Sequence, residues 1–129
     1  MVAQGGRMNV FEYAVVRAIP RIERGECLNV GLIVYCQALD YLAASVHVSE
    51  ERLLALDPSA DVEAVTAAVN AIKATCAGAT GPAAGSSPGE RFRLLTAPRS
   101  TILQPGPVHS GLTEKPEAEL ARLFDDLVR

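Results

Sequence analysis

From Cys27 to Cys36 the chain reads Cys-Leu-Asn-Val-Gly-Leu-Ile-Val-Tyr-Cys, and an amide is its one strongly polar side chain. The run is about half the ~20 apolar residues that a membrane helix needs. It is also rich in β-branched residues, which prefer a pleated strand. In water such a segment is stable as a strand only if both of its faces are covered. It therefore predicts a central strand, and the rest of the chain must supply its neighbours and its cover.

The flanking segments read as those neighbours. From Phe11 to Ile19 the residues alternate, with Phe11, Tyr13, Val15, Arg17 and Ile19 on one face. Pro20 ends the strand, because it cannot donate to a ladder. Pro20 to Glu26 is a connector with Arg24-Gly25 as its turn, and Gln37 to Asp40 is a polar turn. Tyr41 to Val48 alternates again, with Leu42, Ala44, Val46 and Val48 on one face. Three strands with short links predict an antiparallel meander.

Helical spacing takes over at Ser49, with Glu50 and Glu51 suited to a first turn. A longer helix is expected from about Asp61 to Ala77, with Val62, Val65, Val69, Ile72 and Cys76 as its apolar stripe. Glu90 to Ala97 reads as one to two helical turns burying Phe92 and Leu95. Ser100 to Gln104 reads as a short strand, and Pro105 to Gly111 as a constrained loop. Pro116 to Val128 reads as a final helix. The expected fold class is α+β: an antiparallel sheet, made of the three-strand meander plus one later strand, with helices packed on one face. Residues 10–129 are expected to form a single domain after a disordered leader at 1–9, with Met8 as an alternative start to Met1. A flexible loop is expected at 78–89.

Composition narrows the function classes. The length of 129 residues suits one domain, and the net charge of −3 argues against nucleic acid or an acidic membrane as partner. Cys27, Cys36 and Cys76 make an odd set of 3 without a Cys-x-x-Cys pair. That points to a reduced, cytoplasmic setting, with Cys27 and Cys36 as small buried hydrophobes. No 18-residue apolar run exists, so no membrane span is expected, and the N-terminus lacks the apolar centre of a signal peptide.

The chemistry-bearing residues gather around Arg24-Gly25-Glu26-x-x-Asn29-Val-Gly31. Arg17 shares a strand face with Tyr13 and Val15, which is a costly place for a guanidinium unless it is paired. A hairpin brings Glu26 and Asn29 toward it. This set reads either as a salt bridge with an amide cap holding the hairpin, or as an anion site using Arg17 and Asn29. Gly31 marks a bulge or a close approach in the strand. Arg99 and His109, from the C-terminal half, complete the candidate set of Arg17, Glu26, Asn29, Arg99 and His109. Arg21, Arg24, Arg91 and Arg93 are candidates for a basic face, although acidic residues are interleaved with them. A nucleic-acid reading also lacks exposed aromatics to spare, with three Tyr, three Phe and no Trp in all.

No assembled catalytic set stands out. A lone loop histidine is ordinarily a surface residue, and His109 has no orienting acid or nucleophile at a suggestive spacing. His47 is likewise isolated, so no metal site is expected. The stretch at 78–89 lacks the Gly-Lys-Ser/Thr ending of a phosphate loop, and no cofactor is expected.

Several stretches carry a family resemblance: Tyr13-Ala-Val-Val-Arg17-x-x-Pro20 and Arg24-Gly25-Glu26-x-x-Asn29-Val-Gly31; then Ala97-Pro-Arg-Ser-Thr-Ile102, Pro107-Val-His-Ser-Gly111 and Pro116-Glu-x-Glu-Leu-x-x-Leu-Phe. Over about residues 10–128 the chain resembles the bacterial domain-of-unknown-function family numbered 3037. The resemblance carries over no catalytic residues. It implies a small cytoplasmic protein, often encoded beside a HipA-like kinase, and hence an accessory role toward a larger protein partner. The leading expectation is a non-catalytic interaction module. The alternatives are a small enzyme or anionic-ligand-binding protein using Arg17, Glu26 and Asn29, and a weak nucleic-acid binder. Self-association through an edge strand or the terminal helix stays open.

Overall fold

The computed structural model describes residues 7–78, 86–99 and 101–129. The elements, in chain order, are β1 (Asn9–Ala18), β2 (Leu28–Cys36), β3 (Tyr41–Val46), α1 (Glu50–Leu56), α2 (Val62–Ala77), α3 (Pro88–Thr96), β4 (Leu103–Pro105), β5 (His109–Thr113) and α4 (Pro116–Leu127). The first three strands form the expected antiparallel meander, with β2 between β1 and β3. Arg24-Gly25 makes the expected turn after β1, with Gly25 at φ +70°, a conformation that glycine adopts without strain.

The strand expected from Ser100 to Gln104 is present as β4 but begins only at Leu103, and a further strand that was not expected, β5, follows it. β4 pairs with Val16–Ala18 at one end of β1, and β5 pairs with Asn9–Tyr13 at the other. Pro105 to Gly111, expected as a loop, is thus a loop only in its middle. The Gly-Pro step between the two strands lets the chain kink and then rejoin the same edge.

β2 is buried along most of its length, and its two faces meet two separate cores. Val30, Ile33 and Tyr35 pack with Leu53, Val65, Val69 and Phe92 from α1, α2 and α3. Leu32, Val34 and Cys36 pack with Phe11, Val15, Leu120 and Leu123, the last two from α4. The α+β sheet architecture is therefore as expected, but its helices divide between the faces. α1, α2 and α3 cover one side, and α4 crosses to the reverse side. A strand apolar on both faces requires this, since helices on one side leave half of β2 wet.

A bulge keeps the pattern in step. Val16 is opposite Gly31 and Arg17 is opposite Asn29, so Val30 is an extra residue in β2. Gly31, beside the bulge, makes the expected close approach and sits against Val16, Ser45 and Val46.

Ser87 caps α3 and Pro88 begins it, so the loop expected at 78–89 gives up its last residues to a helix, while Gly78 caps α2. Residues 79–85, residues 1–6 of the expected leader and Ser100 lie outside the described residues. Asn9, also assigned to the leader, begins β1. Cys27 is exposed in the connector instead of buried, because β2 begins one residue later. Cys36 and Cys76 are buried, and burial pushes the Cys76 thiol up to about 12. Among the described residues no helix is long and apolar enough to cross a membrane.

Candidate functional site

The central motif folds onto itself before it reaches any partner. In the connector, Arg24 Nε donates to Glu26 Oε1 at 2.7 Å and Nη2 donates to Oε2 at 3.2 Å. This fork-to-fork pairing holds the Glu26 carboxyl below its ordinary range and raises the Arg24 guanidinium above its own. Arg21 pairs with Glu23 through a single bond, Nε donating to Oε1 at 3.1 Å. All four side chains are exposed, so these pairs shape the turn and contribute little to global stability. Glu26 therefore does not serve Arg17.

Arg17 and Asn29 do come together, directly opposite each other across β1 and β2. The Asn29 amide is already engaged: its Nδ2 donates to the Leu127 carbonyl at 2.9 Å, in the last turn of α4. A strand amide thus satisfies one of the carbonyls that a helix C-terminus leaves without a partner. The Arg17 guanidinium lies against Gly106, where an added Cβ would come within 3.1 Å of it. Among the described residues Arg17 has no ion-pair partner.

His109 belongs to β5 and faces Tyr13 across β1, with ring centroids 5.2 Å apart. Four residues of strand separate Tyr13 from Arg17, about 13 Å at ordinary strand rise. His109 and Arg17 therefore share a sheet face but no pocket. Arg99 follows α3, on the other side of the sheet, and its Nη2 donates to the Leu94 carbonyl at 2.7 Å. The five candidates thus lie in four places: Arg17 with Asn29, Glu26 in its turn, His109 on the β5 edge, and Arg99 at the end of α3.

The arginines of the expected basic face are also dispersed. Arg93 makes a two-pronged bond to Glu12 of β1 at 2.9 and 3.1 Å and lies 5.3 Å over the Phe92 ring. Arg91 donates to the carbonyls of Ser86 and Cys76, which ties the start of α3 to the end of α2. With Arg21 and Arg24 paired in the connector, each of the four is engaged locally. Among the described residues no group of three or more His, Cys, Asp or Glu is placed to hold a metal ion.

The feature that motif reading missed is a cleft of about 400 Å³ between α2, the end of α3 and β4, with Arg99 at its side. Its signal was present in α2, where Ala68, Ala71 and Thr75 follow one another at helical spacing on one stripe. Small side chains in such a stripe leave volume beside a helix.

An antiparallel sheet covered by helices on both faces, with several of its motif residues engaged in joining its own elements, defines a small α+β protein. Residues 13–128 match the family described as Protein of unknown function (DUF3037), and the chain belongs to that family. No curated protein and no solved structure matches it.

Proposed function

We propose that this protein is a non-catalytic accessory module that docks a larger protein partner along its β5 edge. The observation that carries this reading is the chemistry of that edge. β5 pairs with β1 on one side, and among the described residues no strand pairs with its other side. Open edges are ordinarily guarded by charge, yet Gln104 through Thr113 contains no Asp, Glu, Lys or Arg. Beside the edge, the cross-strand partners Val10 and Leu112 are 61% and 60% exposed. An extended segment of a partner can add a strand here, gaining main-chain hydrogen bonds and covering both side chains.

The kinase-like protein implied by the family resemblance is the first partner to test. In co-expression and size-exclusion chromatography the two are expected to elute together, and Leu112→Lys is expected to abolish the complex. A complex indifferent to that substitution overturns the β5 assignment. Turnover of a nucleotide or phosphoester by the purified protein overturns the non-catalytic reading.

The alternative, an anionic-ligand site, draws its support from Arg17, a half-buried guanidinium without a carboxylate partner among the described residues. Glu26 lies outside such a site and Asn29 has already committed its amide to α4.

A further inference from the structure

The cleft beside Arg99 opens into the larger of the two cores. Val16, Leu95 and Leu103 belong to that core and also line the cleft. Its α2 wall is Ala68, Ala71, Ile72 and Thr75, and Ile102 stands at its rim, 39% exposed. The cleft, of about 400 Å³, is open to solvent and leaves these aliphatic side chains facing water, which a bound apolar group would cover.

The polar groups of the cleft are unequal. Thr101 Oγ1 donates to the Leu103 carbonyl at 2.6 Å, and Thr75 Oγ1 to the Ala71 carbonyl at 2.9 Å. Gln104 Nε2 donates to the Thr101 carbonyl at 3.1 Å. Both hydroxyl hydrogens are thus spent within the protein. Arg99 spends one N–H on Leu94, out of the five a guanidinium carries. Among the described residues no carboxylate lies within ion-pair distance of it. The cleft therefore offers an apolar floor and one unneutralised cation.

We infer that this cleft binds a small amphipathic carboxylate, with its apolar body against Ile72, Leu95 and Ile102 and its carboxylate on Arg99. The volume falls at the low end for small-molecule sites, which suits a medium-length acyl chain. The planar fork of the guanidinium matches a carboxylate through two parallel hydrogen bonds. The cleft is lined by β4 and not by β5, and ligand binding there does not require partner docking.

Octanoate, octanol and acetate, titrated into the full chain by calorimetry and amide-resolved NMR, test the assignment. Octanoate is expected to bind with shifts centred on Thr75, Leu95 and Ile102, octanol about tenfold more weakly, and acetate not at all. Arg99→Gln is expected to remove the preference for octanoate and leave octanol unchanged. Ala71→Leu, at an exposed helix position that tolerates a larger side chain, is expected to block both. Equal binding of octanoate and octanol, octanoate binding unaffected by Arg99→Gln, or no octanoate binding at millimolar concentration each overturns the inference.

Discussion

Gly111 shows how one absent side chain shapes the reverse face of the sheet. It lies opposite Phe11 across β1 and β5, and a Cβ there would sit 2.9 Å from the Phe11 ring. That ring is buried and stacks with Tyr13, whose other neighbour is His109. Gly111→Ala must push the ring out of this row, and overpacking of this kind costs about 1–3 kcal/mol. A lowered melting temperature is the expected result; an unchanged one means that the ring gives way freely. His109 shows the limit of reading residues singly. Its loop-like surroundings were plain in sequence, but its place in a row of rings depends on β5 pairing with β1.

At the scale of elements, α3 is the instructive case. The Ser87 hydroxyl accepts from the Glu90 N–H at 3.2 Å, and Glu90 accepts from the Ser87 N–H at 2.9 Å. This reciprocal cap was present in the sequence as Ser-x-x-Glu, hidden by the glycine, proline and serine around it. Ser87→Ala is expected to lower stability by about 1 kcal/mol. The hydrogen bond from the Ser87 backbone N–H, then that from its side chain, holds the Glu90 carboxyl below its ordinary value. A carboxyl lowered on folding stabilises fully above its unfolded pKa of about 4.3, and this contribution is lost as the pH falls through the lower folded value. The stability difference between wild type and Glu90→Gln should therefore shift against wild type as acid is added below about pH 4.3. A difference that stays constant down to pH 2–3 means that the cap does not form.

At the scale of the whole molecule, the sheet is a partition between two cores of unequal size. The larger lies under α1, α2 and α3, and the smaller under α4 alone. The smaller core therefore depends on a few side chains, among them Leu120 and Leu123, with Asn29 holding the end of α4. Leu123→Ala is expected to destabilise the protein by about 2–5 kcal/mol. Urea unfolding should show one cooperative transition at a lower midpoint. Loss of α4 signals in a separate, earlier transition would instead mean that the reverse core folds independently.

The sequence determined the three meander strands, α2 and α4, and the faces of the strands. Alternation placed Tyr13, Val15 and Arg17 together on β1, and the unbroken apolar run required β2 to be covered twice. It also marked Gly31 as a bulge or a close approach, beside the bulged Val30, and Gly25 as a turn. The tertiary structure alone decided which faces meet: that α4 lies under the reverse side, that Asn29 serves a helix end 98 residues away, and that Arg99 stands beside a cleft on the opposite face of the sheet from Arg17. The reason is physical. Periodicity is a property of neighbours along the chain. The use of a polar side chain depends on contacts between distant segments, which form only when the cores close.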